Sequence, residues 1–236
     1  MEPVVLACGD PSSRSRSTVV DRARDEARLR GVSLRVTTGS PADPDRASMI
    51  VHMTVCGIPR EVASTGRPPR SWPPAAAAPS CPLVLVPDAA GGTYRSAKLT
   101  LGVDARDPAA GAVDFAFDSA RTRRALLHAV HAWSLPSHAA EWPFAVPEKD
   151  RATWEDQEVQ LLADVLRPWR EKYPEVPVLE DIVLLTPVQA LLHHSAGAAL
   201  VVVGAKPGVW WGETAGALLR AASCPVAVVP GRSTAR

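Results

Sequence analysis

Two stretches of this chain, SCPLVLVP at residues 80–87 and SCPVAVVP at residues 223–230, nearly repeat each other. Each places a Cys-Pro pair before four aliphatic residues and ends in proline. Short, continuous apolar runs bounded by turn residues are typical of strands that are buried on both faces of a parallel sheet. The same strand at two places about 140 residues apart predicts that one α/β unit occurs twice in the chain.

The composition is that of a folded chain without a strong electrostatic preference. Hydrophobic residues make up 46% of the 236 residues, and the formal net charge is +1. Nucleic-acid-binding domains usually carry a marked basic excess, so no nucleic-acid partner is predicted. No apolar run approaches the ~18 residues that a membrane-spanning helix needs, and no basic-then-apolar leader opens the sequence. We therefore expect no membrane association, and we interpret the excess of arginine over lysine as coding bias of a genome of high GC content.

The C-terminal half alternates strand-like and helix-like segments. The predicted strands are LTLGVD (99–104), LLHAVHAW (126–133), VLEDIVLLT (178–186), AALVVVGA (198–205) and CPVAVVP (224–230). The predicted helices begin at Asp107 and Pro108, at Trp154 after a long loop over residues 134–153, at Pro187 and at Gly212. Continuously apolar strands that alternate with helices indicate a parallel sheet covered on both faces.

The N-terminal half has the same element order with pieces missing. Its predicted strands cover residues 4–10, 32–39, 49–57 and 81–87, and its helix covers residues 11–31. Five prolines between residues 60 and 80 exclude a continuous helix before the last strand. The predicted fold class is α/β, a tandem of Rossmann-like units with parallel sheets whose first unit is incomplete. The truncated unit takes residues 1–88, a linker residues 89–97, and the complete unit residues 98–231.

Several blocks of the chain resemble the universal stress protein family. Residues 102–133, 182–205 and 218–230 resemble, in order, three sequence blocks of that family, and residues 10–36 look like the first block again. The resemblance implies a cytoplasmic protein of the stress response with a five-stranded parallel sheet, often in tandem or dimeric arrangement. It also implies a non-enzymatic regulatory or binding module and two subclasses, of which one binds ATP.

The ATP-binding subclass carries the motif G-x-x-G-x9-G-[ST] between its fourth strand and its last helix. The glycines let backbone N–H groups approach the phosphates at the helix N-terminus. By this resemblance, Asp104 matches an aspartate that helps to fix the nucleoside, and Gly204 matches the first glycine of the motif. Gly208 and Gly212 complete the candidate cofactor-binding residues of this degenerate site.

The motif is broken in three ways after Gly204. Pro207 stands where the second glycine belongs, with Gly208 one place late, and proline removes an N–H from the loop. The loop from Gly204 to Gly212 is eight residues, against thirteen in the motif. Glu213 replaces the hydroxyl residue, and a carboxylate in the first helical turn takes the place that an anion would occupy.

These departures predict that the C-terminal copy does not bind ATP in the family's manner and has no cofactor. The alternative is an ATP or adenine-nucleotide binder that uses Asp104 and a reshaped loop at 204–213. A third hypothesis is a protein that binds a small apolar ligand or a partner through Trp210 and Trp211, which otherwise fill the cleft. The N-terminal copy is predicted to hold no nucleotide, because Cys8 stands where the aspartate belongs.

The remaining chemistry-bearing residues predict neither a metal site nor catalysis. His128 and His131 lie three apart on a strand and therefore face opposite sides, and His193 and His194 are neighbours on a helix. His194 is expected at most to form a hydrogen bond across the sheet edge. Asp181 is expected to be solvated. The chain has no G-x-S-x-G motif, so no enzyme is predicted.

The resemblance also implies how the two units meet. In the resembled family the last strands of two units often pair, so 80–87 and 223–230 are expected to meet as an intrachain pseudo-dimer. The truncated unit would then cover a strand edge of the complete unit. A homodimer and a protein partner of unknown identity stay open. The four cysteines (Cys8, Cys56, Cys81 and Cys224) are predicted to be buried and reduced, with a redox pair of Cys81 and Cys224 as the minor alternative.

Overall fold

The strands in the described part of the chain form one nine-stranded sheet. The computed structural model describes residues 3–8, 16–37, 50–58, 64–65, 81–87, 97–136, 146–205 and 212–231. The strands are β1 (Val4–Cys8), β2 (Ser33–Thr37), β3 (Val51–Gly57), β4 (Leu83–Val86), β5 (Lys98–Val103), β6 (Leu126–Ala132), β7 (Val178–Val183), β8 (Leu200–Ala205) and β9 (Val226–Pro230). The helices are α1 (Arg16–Arg30), α2 (Ala110–Arg123), α3 (Glu148–Lys172), α4 (Pro187–Ser195) and α5 (Glu213–Ala221). This mixed α/β architecture with a mostly parallel sheet is the predicted fold class.

The strand order across the sheet is β2-β1-β3-β4-β9-β8-β5-β6-β7. Every neighbouring pair is parallel except β4 and β9, which are antiparallel. The two strands of the repeated sequence therefore pair with each other near the middle of the sheet, as the family resemblance implied. Because β4 and β9 pair with each other, neither is an edge strand. The outer strands of the described sheet are β2 and β7.

The two halves of the sheet have corresponding connectivity. Outward from the central pair, the C-terminal half runs β9, β8, β5, β6, β7, and the N-terminal half runs β4, β3, β1, β2. Each half therefore places its first strand between its second strand and its penultimate one. No counterpart of β7 is present among the described residues of the N-terminal half. The domain boundaries at residues 88, 97 and 231 remain predictions.

Two apolar cores lie on opposite faces of the sheet. On one face, α1, α2 and α3 pack over residues such as Val5, Leu101 and Val202, all fully buried. On the other face, α4 and α5 cover a second core that includes Val201 and Val228. Since strand side chains alternate between faces, strands buried on both sides have the continuous apolar sequences that identified them.

A buried charged cluster joins α1 of the first half to α2 of the second. The carboxylate of Glu26, 1% exposed, pairs with the guanidinium groups of Arg22 at 2.8 Å, Arg30 and Arg123. Arg30 also donates a hydrogen bond to the hydroxyl of Ser119 at 3.0 Å. The two halves are thus joined by this ion cluster in one helical layer as well as by the hydrogen bonds between β4 and β9.

Two predicted helix starts were wrong. Helix α2 begins at Ala110, with Ala109 as its N-cap, because residues 104–107 form a turn in which the N–H of Asp107 donates to the carbonyl of Asp104. Helix α3 begins at Glu148, within the predicted loop over residues 134–153. Acidic residues at positions 148 and 150 stabilise its first turn by complementing the helix dipole.

The four cysteines are buried, as predicted. The antiparallel pairing sets Leu83 opposite Val228, so Cys81 and Cys224 lie at opposite ends of the ladder. At ~3.3 Å per residue the two positions are roughly 20 Å apart. The ladder therefore excludes a disulfide between these thiols. Burial also raises the pKa of the Cys224 thiol to about 11.

None of the helices in the described part of the chain is both long and apolar enough to cross a membrane.

Candidate functional site

A cavity of about 1340 Å³ opens where the strand order of the C-terminal half reverses. Strand β5 has β6 on one side and β8 on the other, and the cavity lies at the carboxyl ends of these three strands. Open α/β sheets bind ligands at this kind of reversal, because the loops after neighbouring strands diverge to opposite faces and leave a crevice. The N-termini of α2, α4 and α5 also reach the cavity wall.

Three of the four predicted cofactor-binding residues line this cavity. They are Asp104, Gly204 and Gly212. The fourth, Gly208, lies outside the described residues, as do Pro207, Trp210 and Trp211. Asp104 is exposed just after β5, and its carboxylate accepts a hydrogen bond from the N–H of Arg106 at 3.1 Å.

Gly204 is required by packing between β8 and α2. A Cβ atom at position 204 would lie 2.3 Å from the Cβ of Ala109, a distance that real side chains do not tolerate. The absence of a side chain at Gly204 therefore lets the N-terminus of α2 approach the strand. At Gly212, by contrast, an added Cβ would meet no atom within 4 Å.

Glu213 is the first residue of α5, after Gly212 as the N-cap, and it lines the cavity. Its side chain is exposed. The carboxylate therefore stands at the positive end of the helix dipole, where it has a favourable interaction with the N-terminal N–H groups.

A hydrogen-bonded chain runs from the cavity wall at His131 to the buried Glu158, and it was not identified from the sequence. Nε2 of His131, in β6, lies 3.0 Å from the carboxylate of Glu158 on α3, and both side chains are buried. Nδ1 of His131 lies 3.1 Å from the carbonyl of Val103. Arg106, on the cavity wall, pairs with the other oxygen of Glu158. Only the fold connects these residues, which are 27 and 52 positions apart.

Trp133 is another wall residue that the sequence did not single out. The indole is 6% exposed and lines the cavity, and within the part of the chain that the structure describes its N–H has no hydrogen-bond partner. A buried indole N–H without a partner is uncommon, because the lost hydrogen bond to water costs free energy. The cavity wall as a whole is largely apolar, and it also includes the polar side chains of Asp104, Arg106 and Gln189.

A sequence model of the Universal stress protein family matches residues 96–230, more than half of the chain. The chain belongs to the universal stress protein family. The matched residues include β5 to β9 and therefore the whole described wall of the cavity up to Pro230.

Named relatives come from mycobacteria. The chain is 34% identical over 155 residues to Universal stress protein Rv2005c of Mycobacterium tuberculosis, covering 63% of this chain and 51% of that one. It is also 34% identical over 128 residues to Universal stress protein Rv2623 of the same organism, covering 53% of this chain and 41% of that one. The chain thus spans about half the length of the curated relatives it matches.

Solved structures support the same fold at low sequence identity. A universal stress protein from Archaeoglobus fulgidus has a TM-score of 0.59 at 11% identity, covering 96% of both chains. The functionally unknown protein PA1789 from Pseudomonas aeruginosa has a TM-score of 0.51 at 17% identity, covering 97% of this chain and 82% of that one. Likeness at this identity concerns the fold alone.

Proposed function

We propose that this universal stress protein is a non-enzymatic regulatory or binding module of the stress response whose cavity does not take ATP in the family's manner. The observation that carries the proposal is the exposed carboxylate of Glu213 on the cavity wall at the N-terminus of α5. In the resembled ATP motif, a hydroxyl residue that can donate to a phosphate stands at this position. A carboxylate there repels a phosphate and already satisfies the helix dipole.

The packing of Gly204 supports the same proposal. A motif glycine serves phosphate binding when its missing side chain leaves room for the ligand. At position 204 the corresponding space is taken by Ala109, whose Cβ would lie 2.3 Å from an added Cβ. Gly204 therefore has a sufficient structural reason in this chain that does not involve a ligand.

The cavity wall favours a small ligand with an apolar body. Val103, Val130, Trp133 and Leu191 contribute apolar surface, and the indole N–H of Trp133 is a donor without a partner among the described residues. Ligand sites typically combine apolar walls with a few polar groups that set orientation. We take such a ligand to be the regulatory signal of the module.

The second candidate is an adenine-nucleotide site that uses Asp104 and the reshaped loop. It is favoured by one observation, that Asp104, Gly204 and Gly212 line the same cavity. The two candidates differ in whether the cavity binds a nucleoside triphosphate.

Calorimetric titration with Mg-ATP separates them, with adenosine titrated in parallel as a probe without phosphates. We expect no saturable binding of Mg-ATP at micromolar concentrations and no copurified nucleotide in native mass spectra. Replacing the carboxylate in Glu213→Ser should improve whatever weak Mg-ATP binding exists, while leaving adenosine binding unchanged. Saturable micromolar binding to the parent protein that is lost in Asp104→Asn would overturn the proposal in favour of the second candidate.

A further inference from the structure

Three potential metal ligands from three different elements meet on the face of the sheet covered by α4. They are His128 in β6, Asp181 in β7 and His194 in the last turn of α4. Oδ2 of Asp181 lies 3.0 Å from Nε2 of His128 and 3.4 Å from Nε2 of His194. None of the three lines the cavity described above. Among the described residues, this is the one set of three or more such side chains whose ligand atoms lie within 4.8 Å of one another.

The parallel register explains the meeting. Val130 is the register partner of Asp181, and His128 shares a face with Val130 because strand side chains alternate. Both ligands from the sheet therefore point to the same side, where α4 packs. The hydroxyl of Thr100 in β5 donates to the carbonyl of His194 at 3.0 Å and holds the end of the helix over the sheet.

We propose that His128, Asp181 and His194 form a binding site for a divalent transition-metal ion of the zinc class. Two imidazole nitrogens and one carboxylate oxygen are a donor set that zinc prefers, with a fourth position left for water or another ligand. Ligand bonds of ~2.0–2.1 Å in a tetrahedral site separate the donor atoms by roughly 3.3–3.4 Å. The separations of 3.0 and 3.4 Å between Asp181 and the two imidazoles are close to that value.

Burial gives the site a fixed base and an open side. The side chain of His128 is 5% exposed and its Nε2 contacts Asp181, while among the described residues its Nδ1 has no hydrogen-bond partner. Asp181 and His194 are 32% and 16% exposed, which leaves a path for an ion from solvent. Asp181, which the sequence predicted to be solvated, is partly exposed and also contacts two imidazoles.

Sequence reasoning predicted no metal because it compared histidines that are close in the chain. The neighbouring residues His193 and His194 are placed differently. His194 is one of the three converging ligands, whereas His193 is exposed and is not one of them. The ring of His193 lies 5.0 Å from that of His194. His193 therefore provides a matched control with the same residue type, helix and neighbourhood.

The test is equilibrium dialysis of the chelator-treated full chain against zinc chloride, with metal quantified per chain. We expect one zinc ion per chain. His194→Gln and Asp181→Asn should each weaken zinc binding more than ~10-fold, since loss of even an outer-shell partner typically costs 10- to 100-fold. His193→Gln should retain the parent affinity. The thermal midpoint of each metal-free variant, compared with that of the metal-free parent, verifies its fold.

Cobalt substitution gives a readout on the parent chain that does not depend on any variant. We expect visible bands of tetrahedral cobalt without a thiolate-to-cobalt charge-transfer band. Failure of the parent chain to bind zinc would overturn the proposal. Zinc binding that survives both His194→Gln and Asp181→Asn, or a thiolate band with cobalt, would also overturn it, because the ion would then lie elsewhere.

Discussion

Arg123 of α2 donates a hydrogen bond to the carboxylate of Glu26 of α1, across 97 residues of sequence. The contact crosses from one half of the sheet to the other, and both side chains are nearly inaccessible to solvent, at 10% and 1% exposed. A carboxylate with this burial is retained only where cations compensate its desolvation. Substitutions in this pair therefore test whether each half of the sheet contributes to the stability of the other.

Glu26→Gln should destabilise the fold by about 3 kcal/mol, because breaking a buried ion cluster leaves uncompensated buried charge. Here the charges left are those of Arg22, Arg30 and Arg123. The free energy of unfolding in urea measures the loss. Asp21→Asn is the control, since Asp21 lies on the same helix but its pair with Arg24 is exposed, and such pairs contribute at most about 1 kcal/mol. Equal effects of the two substitutions would contradict the role of Glu26 in a stabilising buried ion cluster.

Glu26 should also make stability depend on acid pH. Burial has the largest single effect on this carboxyl, and it raises the pKa. The three guanidinium groups together lower the pKa by more than burial raises it, so the value falls from 4.5 to about 2. Because the folded pKa lies below the unfolded one, the stabilisation is complete above about pH 4.5 and is lost as the pH falls toward about 2. The shift corresponds to stabilisation on the order of 3 kcal/mol.

Urea unfolding at about pH 5 and about pH 3 checks this window. The parent protein should lose more stability between the two values than Glu26→Gln does, since the variant has no carboxyl to protonate at position 26. Parallel pH profiles of the two proteins would show that Glu26 does not titrate as described.

Gly204→Ala should destabilise the protein by roughly 1–3 kcal/mol, because the new methyl group overlaps Ala109. The double substitution with Ala109→Gly removes the opposing methyl and should recover most of the loss. Gly212→Ala, where an added Cβ meets open space, should stay within about 1 kcal/mol of the parent. Thermal unfolding of the four proteins gives the comparison. A Gly204→Ala protein as stable as the parent would refute the packing role.

Deleting residues 1–97 should produce a second unit that is insoluble or dimeric. The deletion removes β4 and opens β9, whose residues Val226 to Val229 are at most 4% exposed in the intact chain. An apolar strand with unpaired backbone groups pairs with another chain when one is available. Size-exclusion chromatography with light scattering measures the outcome, and a soluble monomer would contradict it.

Local sequence patterns were sufficient for the strands and for most of the helices. Apolar runs such as residues 200–205 and 226–230 identify buried strands, because a strand covered on both faces needs apolar residues at every position. The start of α2 was missed, since a turn held by Asp104 competes with capping by Asp107. A turn of this kind depends on hydrogen bonds that local composition does not distinguish.

By itself the sequence determined the strand repeat, the α/β class and the family resemblance, since these depend on residues close together in the chain. Only the tertiary structure decided that β4 and β9 run antiparallel, which separates Cys81 from Cys224. It also decided that Asp181 lies between His128 and His194. The physical reason is that strand register and helix packing are set by burial of the whole core, so contacts between distant residues follow from the assembled sheet and not from any local pattern.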